Sequence, residues 1–153
     1  MKRRLLLKAS AASAAAACWP AGAAPAQQGQ PVAWPAVQLL GGGSLSPEDW
    51  QGRAAVVVFW SLTCGFCRRH NQHLEKLHRV ALAQRLPLTV LGVVHERDPA
   101  AVARHVQHQG YSFPQTLDLG PLAAALTQRR LTPITAVVNR QGRLQTVWPG
   151  EMT

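Results

Sequence analysis

An α/β domain built around a parallel strand–helix–strand unit is what these residues predict. Two apolar runs with a helical stretch between them carry that expectation. The first run, Val56-Val57-Val58-Phe59-Trp60, is long enough for a buried strand and too short for most helices. From Cys67 onward the apolar positions fall at Cys67, Leu74, Leu77 and Ala81, a spacing that suits one face of a helix. That helix should end near Leu86-Pro87, and residues 88–94 form the second short apolar run. Strand, helix and strand in this order make a right-handed crossover, so both strands finish at the same edge of the sheet.

The chemistry sits at the first junction. Ser61-Leu62-Thr63 ends the strand, and Cys64-Gly65-Phe66-Cys67 follows at the start of the helix. The unpaired N–H groups and the positive end of the helix dipole favour a thiolate over a thiol at Cys64. A Cys-x-x-Cys alone also fits half of a zinc site, but structural zinc takes about four ligands. No second cysteine pair exists, and His70 and His73 would have to complete the set. Four ligands on one short helix do not easily wrap a tetrahedral ion. Redox chemistry is therefore the expectation, with no metal and no cofactor beyond the cysteine pair.

Length and composition set the surroundings. A chain of 153 residues, 47% of them hydrophobic, suits one globular domain with a short leader. Residues 1–26 are expected to be an export signal. Lys2-Arg3-Arg4 is a positive start, Leu5-Leu6-Leu7 and the following alanines form a modest apolar core, and Ala24-Pro25-Ala26 suits a cleavage site. Arg3-Arg4-Leu5-Leu6-Leu7 also resembles a twin-arginine signal, with a general secretory signal as the alternative. Cys18, in Ala15-Ala16-Ala17-Cys18, is a degenerate lipoprotein position. Acylated, it would tether the domain to a membrane; otherwise it leaves with the leader. After the leader no stretch of about 20 apolar residues occurs, so no internal membrane span is expected.

The formal charge is +9, and removing the leader's Lys2, Arg3, Arg4 and Lys8 leaves +5. The basic residues are spread, no aromatic-plus-basic motif accompanies them, and no nucleic-acid partner is expected. Arg68 and Arg69 stand apart, since their charge lies in the first helical turns after Cys64, able to hold a thiolate or meet an acidic partner.

The other segments follow in order. Residues 27–36, rich in Gln, Gly and Pro, predict a loose linker, and the domain proper is expected over 37–153. Residues 37–40 and 44–45 flank Gly41-Gly42-Gly43 as an N-terminal hairpin. Ser46-Pro47-Glu48-Asp49 is a helix-start signature giving a single turn that ends near Gly52. His95-Glu96 follows the second strand on the side of Cys64. The pair is a candidate for proton transfer to a thiol, with an ordinary loop as the alternative. Asp98-Pro99 caps a helix over 100–109 closed by Gly110, with His105 and His108 expected to be exposed. A short extended segment covers 113–118, and Pro121 opens a helix over 122–130. Leu131-Thr132-Pro133 then leads into a strand over 134–139, a turn at 140–143 and a strand over 144–148.

The stretch Phe59-Trp60-Ser61-Leu62-Thr63-Cys64-Gly65-Phe66-Cys67-Arg68-Arg69, followed by Leu74-Glu75-Lys76-Leu77, resembles thioredoxin-like proteins. It is most similar to the extracytoplasmic thiol–disulfide group typified by TlpA, ResA and DsbE. The resemblance covers about residues 37–150. It implies a thioredoxin fold, a central mixed sheet flanked by helices, here with the N-terminal hairpin added. It also implies that Pro133 is cis and faces the cysteines, whereas in isolation it also fits a trans proline at a strand start. Thr132 would then offer its backbone to an incoming peptide strand. The implied activity is reduction of protein disulfides by Cys64 and Cys67, with Trp60, Thr63, Gly65, Phe66, Thr132 and Pro133 around them. The implied partners are protein thiols and disulfides, such as apocytochrome or copper-site cysteines, and a membrane electron donor of the thioredoxin-reducing type. The implied location is the periplasm or the outer face of the membrane.

Some positions depart from the family's pattern. Thr63 stands for its usual tryptophan, Phe66 for proline and Gln72 for a helix-kinking proline. Val58 replaces the buried aspartate of thioredoxins, leaving Glu48, Glu75, Glu96, His95 or solvent to take the proton of Cys67. The family's final helix would start at Pro149-Gly150-Glu151-Met152-Thr153, and it is expected to be missing or truncated. Two alternative functions stay open: a disulfide oxidant, and a Cu(I)-binding metallochaperone using Cys64, Cys67 and His95.

Overall fold

The computed structural model describes residues 24–152. The expected export signal and Cys18 thus lie almost wholly outside the described residues. Two short strands come first, β1 (Val37–Gln38) and β2 (Ser44–Leu45), paired antiparallel. The three glycines between them all have positive φ, which is the reason glycines stand there. A 3-10 turn over Pro47–Trp50 follows, opened by a reciprocal capping box between Ser46 and Asp49.

The central strand is β3 (Ala54–Trp60). Val57 and Phe59 enter the core on one face of the sheet, and Val58 and Trp60 enter the core on the other. Burial on both faces is why this run is continuously apolar instead of alternating. Helix α1 (Gly65–Ala83) leads to β4 (Leu88–Val94), parallel to β3, with Trp60 opposite Val94. Helix α2 (Pro99–Gln109) is capped by the Asp98 side chain and closed by Gly110 in the left-handed region. Strand β5 (Gln115–Thr116) pairs parallel to β4. Helix α3 (Leu119–Leu126) precedes β6 (Ile134–Val138), antiparallel to β3, and β7 (Leu144–Pro149), antiparallel to β6. The order β5-β4-β3-β6-β7 is the mixed sheet of a thioredoxin fold. Val102 of α2 packs with the α1 side of the sheet, and Leu122 and Leu126 of α3 pack on the other side.

Several expectations need correction. The loose linker is docked: Val32 is buried, Trp34 stacks on Trp50 at 4.0 Å, and Gly29 N–H donates to the Leu144 carbonyl at 2.7 Å. The Leu144 N–H returns a bond to the Gln30 carbonyl at 2.9 Å. Composition hid this because backbone pairing needs no particular side chains. Helix α1 stops at Ala83 because Arg85 takes a left-handed φ of 52° and closes a Schellman motif, with Leu86 N–H on the Ala81 carbonyl. Helix α3 begins and ends earlier than predicted. Thr127 is extended, and its hydroxyl accepts the Arg129 N–H at 3.1 Å, so residues 128–130 leave the helix as irregular chain. His105 is half-buried, its ring 5.5 Å from that of Trp60. Among the described residues, no helix follows β7.

Candidate active site

Register assembles the site. The ladder between β3 and β6 ends at Phe59 opposite Ile134, so Thr132 and Pro133 lie where β3 runs out and the loop to Cys64 begins. The Thr132–Pro133 bond is cis, and Pro133 is buried. The Pro133 carbonyl accepts the Gly150 N–H at 2.8 Å, tying this turn to the end of β7.

Cys64 is the N-cap of α1 and is bonded to Cys67 as a disulfide. Its sulfur accepts the Cys67 N–H at 3.1 Å, so one of the helix's orphan donors is aimed at it. That N–H and the helix dipole stabilise negative charge on this sulfur once the bond opens. On its other side the sulfur touches the Thr132 carbonyl at 3.7 Å. Cys64 is half-exposed, whereas Cys67 is 1% exposed within the cluster that holds Val58 and Trp60. The pair is thus asymmetric: one sulfur a partner can reach, one it cannot.

The rim is apolar. Phe66 is 62% exposed and Leu131 65% exposed, and the Arg69 guanidinium lies over the Phe66 ring at 5.1 Å. Gly65 and Thr63 are exposed beside them. Trp60 is buried below, its indole N–H donating to Gln115 Oε1 at 3.0 Å and its carbonyl accepting the His95 N–H at 2.8 Å. It anchors the loop and does not face a substrate.

Of the proton-transfer candidates, Glu96 and Glu75 are engaged elsewhere. Glu96 Oε1 accepts the Arg97 N–H at 2.7 Å, shaping its own loop. Glu75 is buried and accepts from Ser112 and from Arg79; burial pushes its carboxyl up, but these bonds and that of Phe113 N–H outweigh it and hold it below its ordinary value. Glu48 is exposed on the 3-10 turn. Arg69, expected to help hold a thiolate, is paired with Glu151 at 2.8 Å. His95 is half-buried with its ring edge-on to Phe59, and burial lowers its pKa.

The Redoxin family model matches residues 27–153. The chain belongs to the Redoxin family. Within that family it is similar to thioredoxin-like proteins of the ResA type. It is 29% identical to the thiol-disulfide oxidoreductase ResA of Halalkalibacterium halodurans over 114 residues, 74% of this chain and 64% of that protein. The match thus spans less than two thirds of its curated relative. Its fold is similar to a secreted thiol-disulfide isomerase from Corynebacterium glutamicum (TM-score 0.71, 21% identity, 80% of this chain and 77% of that one). It is likewise similar to a secreted Mycobacterium tuberculosis disulfide oxidoreductase homologous to E. coli DsbE (TM-score 0.64, 20% identity, 77% and 87%).

In this Redoxin-family chain the sequence left three neighbours of the site unassigned. Gln115 holds Trp60. His70, weighed only as a metal ligand, is 1% exposed, with Nε2 2.8 Å from the Thr135 hydroxyl. Its Nδ1 accepts the Met152 N–H at 3.2 Å, so Nε2 keeps the ring proton and donates it. Asn71 is wholly buried, and neither side-chain polar atom has a hydrogen-bond partner. The Tyr111 hydroxyl, which donates to the Arg68 carbonyl at 3.4 Å, lies close enough to Asn71 for the amide to favour its ionised form. Positions 67, 70, 71 and 74 form one helical face, so spacing counted over all residues, polar ones included, was the missed signal.

Proposed function

We propose that this chain is an exported thiol–disulfide oxidoreductase that reduces protein disulfides. The observation that carries it is the asymmetric pair at a helix N-cap: half-exposed Cys64 against the Thr132 carbonyl, and buried Cys67 behind it. In the reduced protein the Cys64 thiolate attacks one sulfur of a substrate disulfide, and the other substrate sulfur leaves as a thiolate. The substrate strand lies against Thr132 and Pro133, with Phe66 and Leu131 beside it. Cys67 then gives up its proton and attacks Cys64. The second substrate thiolate departs, and the Cys64–Cys67 disulfide is restored. Two electrons have passed from protein to substrate, and no further cofactor enters.

Regeneration needs two electrons from a thiol donor, which we assign to a membrane protein of the thioredoxin-reducing type. Export by residues 1–26 places the reaction in the periplasm or on the outer membrane face. Both relatives with solved structures named above are described as secreted. Cysteines of apocytochromes or copper sites are the substrates that this group implies.

The test is single-turnover reduction of insulin by the dithiol form. Wild type should convert one disulfide per pair, and Cys64→Ser none. Equal rates for the two would overturn the assignment. The reduction potential fixes direction: a value near −270 mV, that of thioredoxin, marks a reductant, and one near −120 mV, that of DsbA, an oxidant.

A further inference from the structure

A cavity of about 530 Å³ opens on the α3 side of the sheet. Phe59, Leu119 and Ala123 give it apolar lining, and Arg129, Arg130 and His95 give it polar lining. The His95 Nε2 is buried without a hydrogen-bond partner. No Asp or Glu lines the cavity. Among the described residues the ion pairs are Arg69–Glu151 and Arg79–Glu75, so neither Arg129 nor Arg130 has a carboxylate partner there. The Thr127 hydroxyl holds the Arg129 N–H at 3.1 Å, at the start of the irregular segment that carries both arginines.

We propose that this cavity receives an acidic side chain of the substrate polypeptide, two residues from its reacting cysteine. The inference rests on the oxidoreductase function proposed above and adds a sequence preference to it. Its basis is spacing. Arg130 precedes Thr132 by two residues, and the Thr132 carbonyl lies against Cys64. A substrate strand running antiparallel to this segment places its cysteine at Cys64. Side chains two apart on a strand share a face and lie roughly 6.5 Å from one another. The next side chain on the cysteine's face therefore arrives opposite Arg130. Phe59 and Leu119 accept its methylene groups. The arginines donate to a carboxylate, and they repel a lysine.

The test uses the reduced protein and disulfide peptides of otherwise neutral sequence, carrying Glu, Gln or Lys two residues from the cysteine, on either side. The second-order rate constant for the Glu peptide should exceed that for the Gln peptide by up to about fivefold, with Lys slowest, as expected for exposed charges. The spread should shrink in 1 M salt, where charges are screened beyond about 3 Å. The variant carrying Arg129→Glu and Arg130→Glu should favour the Lys peptide; a gain of rate for that peptide cannot come from misfolding. Equal rates for all three peptides with wild type, or an unchanged order in the double variant, would overturn the proposal. So would an arginine-dependent preference confined to oxidised glutathione, since the carboxylate would then belong to a small molecule. Failure to reduce any peptide would instead strike at the oxidoreductase function itself.

Discussion

His70 and Thr135 meet on the buried face between α1 and β6, ring nitrogen to hydroxyl at 2.8 Å. Burial foremost, then the nearby His73, lowers the His70 pKa, against a smaller opposing pull from Glu151. The unfolded chain protonates this residue near its ordinary pKa of about 6.5, whereas the folded one resists. Above that pH both states are neutral and the residue adds no pH dependence. Below it the unfolded state takes up more protons, so stability falls as the medium is acidified. His78, His95 and His105 are also lowered by burial and add to the slope. His70→Gln should therefore flatten, but not abolish, the loss of melting temperature between pH 7.5 and 5. Parallel curves for the two proteins would show that His70 does not carry its share.

Asn71 has the opposite character: its amide is wholly buried, and the Tyr111 hydroxyl is near it without meeting hydrogen-bond geometry. Leaving such a group unpaired costs about 1–3 kcal/mol. Asn71→Leu, close in size, should raise the stability of the disulfide form by about 1 kcal/mol. Denaturant unfolding reads this as a higher midpoint at constant slope. A lower midpoint would mean that the amide is held by a partner.

Gly92 allows the Trp60–Gln115 bond to cross β4. A Cβ at this position would overlap the Gln115 amide and come within 2.9 Å of Trp60 Nε1. Gly92→Ala should cost about 1–3 kcal/mol, the usual range for overpacking. Because Trp60 anchors the loop to Cys64, insulin reduction should slow in the same variant. Unchanged stability would show that Gln115 moves aside freely.

Cys67→Ser should stop the reaction at its covalent midpoint. Cys64 would still attack, but no second thiolate remains to release it. A protein–substrate adduct that dithiothreitol dissolves should accumulate, visible by mass spectrometry. Absence of an adduct from a folded Cys67→Ser protein would argue that Cys64 is not the attacking sulfur.

Much of this architecture can be read before folding. Strands β3 and β4 announce themselves because burial on both faces leaves no room for polar alternation, and Cys64 stands where one of these strands ends. Pro133 needed the resemblance, since nothing local says that a proline 69 positions from Cys64 will face it. Polar residues that fold inward were the blind spot. His70, Asn71 and Glu75 look like surface residues until α1 is laid on the sheet. The end of α3 misled for a different reason: Thr127 bonds its own backbone two residues on, overriding the helix-forming run behind it.

The Cys64–Cys67 bridge joins positions only three apart. It closes only a small ring along the chain, so it restricts the unfolded polypeptide far less than a long-range crosslink does. Opening it therefore takes little from the cohesion of the domain, which is held by the sheet and its two cores. Such a molecule can cycle between dithiol and disulfide as a durable carrier, its scaffold indifferent to the electrons passing through its tip.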